Sequence, residues 1–336
     1  MAAMTPRRAW MAAIALALVL LGTAVAVGTV LEPHTRDFDR FVGLAIWKID
    51  VHERIDPEVL GYAVNVAASQ GILGIVNLGG GHAGGGLERH VEAAARFPGR
   101  VLVFMGLDER GCCDAAWVDR ETARLVEGRA LGARGLHVPP KVTVPLDSPL
   151  LDPLWQAVAG LGIPVAFQPG TGPDARERMV GLVSRHPRIP FVALRMAEMG
   201  GNPAALGALL AKFPNLHVDT GSSIPEMARD PEATRALLAA HADRILLGTD
   251  LVWLQGPRPE QRALVIGQGP PIRSREPLAR FFDTTWRFFE SRDDAIPGPV
   301  AGDREVGGLG LPRDALKAMY QGNARKLLGF GDLEAL

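Results

Sequence analysis

The sequence predicts an α/β protein that folds as a (β/α)8 TIM barrel, and three observations support this fold class. Short apolar runs alternate with amphipathic stretches from residue 40 to residue 330. The apolar runs lack the polar alternation of a strand with one wet face, which is typical of a parallel sheet covered on both sides. Eight strand-and-helix units in this length match a barrel of about 250 residues plus insertions. An open, doubly wound sheet is the alternative arrangement.

The units follow one another along the chain in a regular order. Apolar runs bounded by turn residues predict eight strands, at residues 44–51, 71–78, 101–105, 134–138, 165–168, 191–195, 216–219 and 245–249. Helical spacing of apolar residues predicts helices at residues 87–96, 119–131, 151–161, 175–185, 203–212, 231–240 and 313–328.

Residues 251–311 interrupt the rhythm after the eighth strand, and they are rich in Pro, Gly and aromatic residues. We expect this insertion to cap the mouth of the barrel, because long connections at the carboxyl face of barrel strands often carry function. The helix predicted within it, at residues 277–292, is also compatible with plain packing or with a homodimer surface.

Residues 1–35 are predicted to be a hydrophobic helix ahead of the barrel domain, which spans residues 40–330. Arg7 and Arg8 precede an uncharged run at residues 9–31, about 34 Å long as a helix and enough to cross a bilayer. The Ala24-Val25-Ala26 segment favours a cleaved signal peptide, whereas the length of the run favours a transmembrane anchor. Either way the positive flank predicts an exported barrel, secreted or periplasmic or held at the cell membrane.

Composition excludes several classes of protein. Lys and Arg number 36 against 37 Asp and Glu, so the formal net charge of −1 argues against a nucleic-acid partner bound by a broad basic surface. Two cysteines do not make a disulfide scaffold. Cys112 and Cys113 are adjacent, and because the ring formed by neighbouring cysteines is strained we expect buried or incidental thiols.

Polar side chains with catalytic potential follow several predicted strands, and in a barrel the carboxyl ends of the strands carry the active site. His52 and Arg54 follow the first strand, Gln168 the fifth, Arg195 the sixth and Asp250 the eighth. We expect these five side chains to converge in one pocket.

Other strand ends offer weaker candidates. His137, at the end of the fourth strand, is suited to orient substrate or to act as a general base, or to make a structural hydrogen bond. His82 lies in a glycine-rich loop, and Asp50 is expected to support Arg54 or Arg195. Glu198 either reaches the mouth from its loop or is a solvated loop carboxylate, and the second is favoured.

The glycine-rich loop also carries a rival hypothesis. Gly79, Gly81 and Gly84 satisfy the G-x-G-x-x-G pattern, and Asp108 stands where a ribose-binding acid would follow. A nicotinamide-dependent oxidoreductase is therefore one alternative function. The pattern follows the second strand rather than the first, which favours instead a loop that offers backbone N–H groups to an anion.

Six segments share their pattern with a known family: Ile49-Asp50-Val51-His52, residues 188–192, Gly200-Gly201-Asn202-Pro203, residues 215–220, residues 244–250 and residues 322–329. On these segments the chain resembles the amidohydrolase-related family, which includes the carboxymuconate-semialdehyde decarboxylase type of barrel. The segments of strand eight and of the closing helix are the most specific.

The resemblance implies a divalent metal, usually zinc, in the barrel mouth. The family's usual ligands are a His-x-His pair on strand one, a His on each of strands five and six, and an Asp on strand eight. His52 matches the first His and Asp250 the Asp, whereas Arg54, Gln168 and Arg195 stand at the other three positions. A guanidinium cannot bind a metal, and at ~5 Å and a dielectric of ~20 each Arg costs about 6–7 kcal/mol against a doubly charged ion. We therefore predict that the usual metal site is lost, with only His52 and Asp250 left of its ligands, and that zinc is a cofactor only if the family chemistry survives.

The same substitutions suggest a function. Arg54 and Arg195 are expected to pair with Asp250 and to bind an anionic group by bidentate hydrogen bonds, unless all three form only a salt-bridged plug. The resemblance implies a hydrolase or a non-oxidative decarboxylase acting on a small carboxylated or cyclic substrate. Asp250, His52 and His137 are the catalytic candidates, and Arg54, Arg195, Gln168 and His82 the substrate-binding ones. A catalytically inactive barrel that binds an anionic ligand or a partner protein is the alternative.

Overall fold

A computed structural model of the chain describes residues 46–331 and 333, apart from residues 139–141, 143, 173, 257, 259, 260, 268, 273 and 274. The hydrophobic segment at residues 1–35 lies outside these residues, so its assignment as a signal peptide or anchor stays a prediction. Within the described part of the chain, no helix combines the length and the apolar character that a membrane span requires.

Ten strands form one curled, mostly parallel sheet that fits a TIM barrel. They run in the order β10-β9-β1-β2-β3-β4-β5-β6-β7-β8, and β10 alone pairs antiparallel with its neighbour. The strands are β1 Lys48–Ile55, β2 Ile72–Asn77, β3 Val101–Met105, β4 Gly135–Val138, β5 Val165–Phe167, β6 Phe191–Ala193, β7 Leu216–Asp219, β8 Ile245–Leu246, β9 Leu251–Gln255 and β10 Arg262–Ile266.

The eighth predicted strand is shorter than expected, Ile245–Leu246, and the residues between it and β9 join the ends of the parallel series. β8 pairs with β7, and β9 pairs with β1. Between them the Val51 N–H donates to the Leu247 carbonyl at 2.9 Å, and the Asp250 N–H donates to the His52 carbonyl at 2.8 Å. Immediately before β9, Asp250 has a left-handed backbone, with φ 62°, which a regular strand cannot accommodate.

Helices cover the outer face of the sheet. They are α1 Leu60–Ser69, α2 Leu87–Ala94, α3 Ala115–Leu131, α4 Asp152–Leu161, α5 Ala175–Arg185, α6 Pro203–Lys212, α7 Ile224–Met227, α8 Pro231–Ala240, α9 Arg275–Glu290, α10 Arg313–Lys317 and α11 Asn323–Leu328. A five-residue π-helical turn, Ala318–Gly322, joins the last two. The closing helix predicted at 313–328 is therefore present with a local widening.

The strands are buried on both faces, as the sequence predicted. Along β3, Val101, Val103 and Met105 belong to the large core between the sheet and the helices. Phe104, on the opposite face, belongs to a second, smaller cluster formed by side chains from the other sides of the strands. The two clusters alternate along each strand because successive strand side chains point to opposite faces.

Three predicted elements need correction. β1 begins and ends four residues later than predicted, because the polar segment from Asp50 to Arg54 is buried inside the strand. The insertion after strand eight begins with β9 and β10, which belong to the sheet, so the cap is limited to the residues beyond Ile266. Cys112 and Cys113, which we expected to be separate thiols, pair with each other in the loop before α3.

Candidate functional site

A bulge in β1 aims His52 at the carboxyl end of the sheet. Asp50 pairs with Ile75 and Glu53 with Asn77, so β1 carries one more residue than β2 over this interval. An extra residue of this kind bends a strand and redirects its side chains. The buried His52 ring thereby lies between two carboxylates, with Nδ1 3.2 Å from Asp219 Oδ2 and Nε2 3.1 Å from Asp250 Oδ1.

These two carboxylates make His52 a cation at neutral pH. Burial by itself would lower the pKa of the imidazole, but the charges of Asp219 and Asp250 outweigh it and raise the pKa from 6.5 to about 10. With a proton on each nitrogen, the ring donates to both acids and has no free lone pair.

Asp250 binds two further cations. Arg54 Nη2 lies 2.9 Å from Asp250 Oδ1, and Arg195 Nη2 lies 2.6 Å from Asp250 Oδ2, while the carboxylate itself is fully buried. Burial favours the protonated acid, but His52, Arg195 and Arg54 together hold the pKa of Asp250 well below its usual range. Asp250 is therefore a permanent anion that organises three cations.

The segment that carries Arg195 is a left-handed turn. Residues 195–198 have φ between 53° and 56°, and none of them is glycine. The Glu198 N–H donates to the Arg195 carbonyl at 2.9 Å, which closes the turn. Because Arg195 and Glu198 are three residues apart on one helical turn, both side chains reach the same cavity.

Asp50 supports the backbone next to the cluster. Its Oδ1 accepts from the His52 N–H at 2.9 Å and from the Thr249 N–H at 3.1 Å, and its Oδ2 accepts from the Thr249 hydroxyl. Burial raises the pKa of Asp50 to about 6, although the Thr249 hydroxyl and the two N–H bonds act against it. Asp50 thus supports the strand-eight backbone and not Arg54 or Arg195, as we had expected.

His137 is neutral beside this cluster. Its Nδ1 lies 3.0 Å from the Leu78 carbonyl, so Nδ1 carries the proton and Nε2 the lone pair. Burial, with the charges of His52 and Arg54 adding to it, lowers the pKa of His137 to about 3. The ring is a hydrogen-bond acceptor through Nε2 and a weak base.

A cavity of about 530 Å³ opens at the carboxyl end of the sheet. Arg195, Gln168 and Glu198 lie on its polar side, where Gln168 Nε2 donates to Glu198 Oε1 at 2.6 Å. Its apolar wall comes largely from the capping segment and β10, with Ile266, Phe281, Phe289, Pro299 and Val300 among its residues. The segment predicted to cap the barrel mouth therefore forms one side of this cavity.

The predicted site residues fall into two groups. His52, Arg54, Arg195 and Asp250 form one ion-paired cluster, and Gln168 lines the cavity next to Arg195. His82 lies apart from them: its Nδ1 is 2.9 Å from the Ala83 carbonyl and its Nε2 is 3.6 Å from Asp108. The loop turns His82 towards α3, where Asp108 also binds arginines, so its assignment to the substrate site has no geometric support.

The glycine-rich loop bonds to itself. The Gly79 N–H donates to Asn77 Oδ1, the Gly84 N–H to Glu88 Oε1 and the Gly85 N–H to the His82 carbonyl. A dinucleotide loop needs such groups free to face a pyrophosphate. The nicotinamide hypothesis is not favoured, because these donors are already used.

The residues at the mouth do not fit the zinc site that the resemblance implies. His52 has a proton on each nitrogen, and guanidinium groups occupy the oxygens of Asp250 that a metal would need. Across the described ranges, no set of three or more His, Cys, Asp or Glu side chains is arranged to hold a metal ion. The chemistry of this donor set, with Arg54 and Arg195 in it, favours an anion over a cation.

Sequence reasoning gave no role to Asp219 and undervalued Glu198. Asp219 ends β7 with its side chain fully buried, and it touches His52. Its position at the carboxyl end of a parallel strand was a usable signal. For Glu198 the signal was its place after strand six, from which a loop carboxylate can reach the mouth, and the left-handed turn brings it into the cavity.

Comparison with known proteins agrees with this fold. Solved structures that resemble the chain include a TIM-barrel protein of uncharacterised function from Bordetella bronchiseptica (17% identity, TM-score 0.58, 83% of this chain and 98% of that one). Others are a candidate 2-pyrone-4,6-dicarboxylic acid hydrolase from Pseudomonas putida (17%, 0.52, 85% and 98%) and 5-carboxyvanillate decarboxylase from Sphingomonas paucimobilis (12%, 0.51, 85% and 100%). At these identities the likeness concerns the fold alone. No curated protein matches the chain.

The family assignment rests on a separate comparison. The model of the amidohydrolase family matches residues 65–330, which include the strands that carry Gln168, Arg195, Asp219 and Asp250. The match covers well over half of the sequence, and it agrees with the resemblance that the strand-eight and closing-helix segments suggested. The chain belongs to the amidohydrolase family.

Proposed function

We propose that this protein is a hydrolase or non-oxidative decarboxylase that acts on a small, cyclic, carboxylated substrate in the 530 Å³ cavity. The observation that carries the proposal is the position of Arg195. Its guanidinium is ion-paired to Asp250 at 2.6 Å, and the same residue forms part of the cavity wall. An arginine held in this way is preorganised to bind a substrate carboxylate.

The charge of the cluster supports an anionic ligand. His52, Arg54 and Arg195 supply three positive charges, and Asp219 and Asp250 supply two negative ones, which leaves one net positive charge. Because the cluster is largely buried, this charge is weakly screened by salt. Glu198 and Asp303 also line the cavity, so the attraction is local to Arg195 and orients the carboxylate of the ligand towards it.

The carboxylate bound by Arg195 serves as a handle and is not the reacting group. A guanidinium stabilises charge that is already on the carboxylate, whereas decarboxylation moves that charge onto carbon. The reacting group therefore lies towards Glu198, which Gln168 holds by a hydrogen bond.

Glu198 is assigned as the group that moves a proton. In hydrolysis it accepts a proton from water as the water oxygen attacks a carbonyl carbon, and it returns that proton to the leaving group as the bond breaks. In decarboxylation the acid form gives its proton to the ring carbon as the carbon–carbon bond breaks and carbon dioxide leaves. Asp250 and His52 are too strongly paired to exchange protons at neutral pH, so in this proposal they position Arg195.

Binding of benzoate, measured by isothermal titration calorimetry, tests the proposal. We expect Arg195→Gln to weaken binding by about 10- to 100-fold, the value of one or two lost charge-assisted hydrogen bonds. Arg188→Gln is the matched control, because Arg188 is exposed near the opposite end of β6. Equal losses in both variants, or none in Arg195→Gln, would contradict the role of Arg195.

Turnover separates an enzyme from a binding protein. 2-Pyrone-4,6-dicarboxylate and 5-carboxyvanillate represent the hydrolytic and decarboxylating neighbours, and both are carboxylated rings. We expect turnover of a cyclic carboxylate of this kind, its loss in Glu198→Gln, and no change after dialysis against a chelator. Tight benzoate binding without turnover of any such compound would favour the inactive barrel.

A further inference from the structure

Asp219 connects three strand ends at the bottom of the cavity. Its Oδ1 accepts from the Gly221 N–H at 2.6 Å and from the Arg195 N–H at 3.2 Å. Its carboxylate also pairs with His52 Nδ1 at 3.2 Å. One buried side chain on β7 thus holds the backbone after β6, the backbone after β7 and a cation on β1.

Two glycines fix Asp219 and His52 in place. A Cβ on Gly221 would lie 2.6 Å from His52 Nδ1 and 2.8 Å from Asp219 Oδ1. A Cβ on Gly248 would lie 2.9 Å from Asp219 Oδ1. These separations are shorter than real Cβ contacts, so only glycine lets the backbone close around the pair.

The backbone that Asp219 binds is strained. The Arg195 N–H that Asp219 accepts is the first of the left-handed turn at residues 195–198. The Gly221 N–H that it also accepts is followed directly by Ser222, whose φ is 47°. Left-handed conformations cost roughly 1–2 kcal/mol per residue outside glycine, so this arrangement needs compensating contacts. A buried carboxylate that accepts backbone N–H bonds is a strong contact of that kind.

We infer that Asp219 is a positioning residue, whose carboxylate holds the strained turn so that Arg195 and Glu198 face the cavity together. Asp219 does not line the cavity and reaches substrate only through these two residues. The inference rests on the proposed function for what Arg195 and Glu198 do there. The conformation of the turn does not depend on that function.

Two substitutions at Asp219 separate positioning from simple stability. Asp219→Ala removes every acceptor, and we expect benzoate affinity to fall at least about 10-fold, as for the loss of Arg195 itself. Asp219→Asn keeps a carbonyl oxygen for the Arg195 and Gly221 N–H groups, and we expect it to stay within about threefold of the natural protein. Asp114→Ala is the control, because it removes a carboxylate that accepts a backbone N–H, from Trp117, away from the cavity.

The crystal structure of Asp219→Ala gives the direct answer. We expect residues 195–198 to leave the left-handed region and Arg195 to lose its contact with Asp250. An unchanged turn in Asp219→Ala would overturn the inference, whether or not benzoate binds. If the natural protein binds no benzoate, the proposed function fails and the turn still decides the inference.

Amide hydrogen exchange of the natural protein keeps the inference testable if Asp219→Ala does not fold. The Arg195 and Gly221 N–H groups should exchange as slowly as amides of the central strands, because Asp219 holds them in the closed state. Exchange at the rate of an exposed loop would overturn the inference.

Discussion

The two ends of β1 each bury positive charge, and they do so in different ways. At the first end, Lys48 is fully buried, its Nζ lies 4.6 Å and 4.8 Å from the ring centroids of Trp286 and Tyr320, and it donates to the Ile46 carbonyl. At the other end, His52 and Arg54 meet carboxylates. Aromatic faces surround the lysine by cation–π contact and one carboxylate, Glu290, acts on its charge, whereas two carboxylates pair with the second group.

Backbone strain is the clearer difference between these ends. Every non-glycine residue with positive φ in the described chain belongs to the carboxyl end: residues 195–198, Ser222 and Asp250. None of the described non-glycine residues around Lys48 has a positive φ, although the pairing with β2 shifts register between Lys48 and Ile49. Strain persists where surrounding contacts impose it, and such places are commonly functional sites. The comparison indicates that the charges at the lysine end serve the fold and those at the arginine end serve the cavity.

Removal of Asp250 should have the largest effect. Asp250→Ala leaves His52, Arg54 and Arg195 without their common anion, and we expect a loss of about 3–5 kcal/mol in the free energy of unfolding, as for other broken buried ion pairs. Urea denaturation measures this loss. Asp250→Asn is the control for shape, since Asn tolerates the left-handed backbone. If Asp250→Ala cost less than 1 kcal/mol, the cluster would not be the organising feature of this end.

His52 should make this end sensitive to alkaline pH. Its folded pKa of about 10 lies above the ordinary 6.5, so the stabilisation is fully present below pH 6.5 and is lost as the pH rises towards 10. Urea denaturation between pH 6 and 10 should show a steeper fall for the natural protein than for His52→Gln.

His217→Gln is the matched control for this pH series. Burial lowers the pKa of His217 to about 4, so its titration affects stability only below pH 6.5. The variant should keep the alkaline slope. If the free energy of unfolding fell with pH equally in the natural protein and in His52→Gln, the claim that His52 is a paired imidazolium would be contradicted.

Titration of Lys48, at the other end of β1, should make the free energy of unfolding rise with pH, opposite to the effect of His52. Burial outweighs the charge of Glu290 and lowers the pKa of Lys48 from 10.5 to about 8. The folded state therefore holds this proton less tightly, and the penalty, fully present below pH 8, is relieved between pH 8 and 10.5. Lys48→Met keeps the length without the charge, and we expect its stability to lack this rise between pH 8 and 10.5. A loss as large as that of Asp250→Ala would erase the contrast between the two ends.

Ala197→Gly should have the smallest effect on stability. Glycine relieves about 1–2 kcal/mol of left-handed strain but loses a buried methyl worth about 0.8 kcal/mol, so the melting temperature should hardly change. Benzoate affinity should nevertheless fall by about threefold, because a looser turn orients Arg195 and Glu198 less well. Unchanged affinity would indicate that the turn is stiff without its side chains.

The strand pattern of the barrel could be predicted because it depends on local apolar runs. The strands at residues 101–105 and 216–219 and the helices at residues 175–185, 203–212 and 231–240 have the predicted bounds. β1 was misplaced because its buried segment carries four ionisable side chains, from Asp50 to Arg54, which resemble a loop when their partners are unknown.

The site residues could be predicted only by the rule that the carboxyl ends of barrel strands meet at the active site. That rule brought His52, Arg54, Arg195 and Asp250 together. It allowed Glu198 to reach the mouth but favoured a solvated position, because nothing in Leu194-Arg195-Met196-Ala197 predicts a left-handed turn without glycine. His82 was misassigned since a glycine loop can point its side chain to either side of the strand that precedes it.

Helix α9 connects the two ends of β1, and this limits how a molecule can enter. Phe281 and Phe289 face the cavity, while Trp286, on the same helix, packs over Lys48. Because the helix packs at both places, it cannot move away from the cavity without exposing Lys48 and its aromatic neighbours to water. The cavity wall reaches the exposed surface instead at Asp303, in the segment that follows this helix.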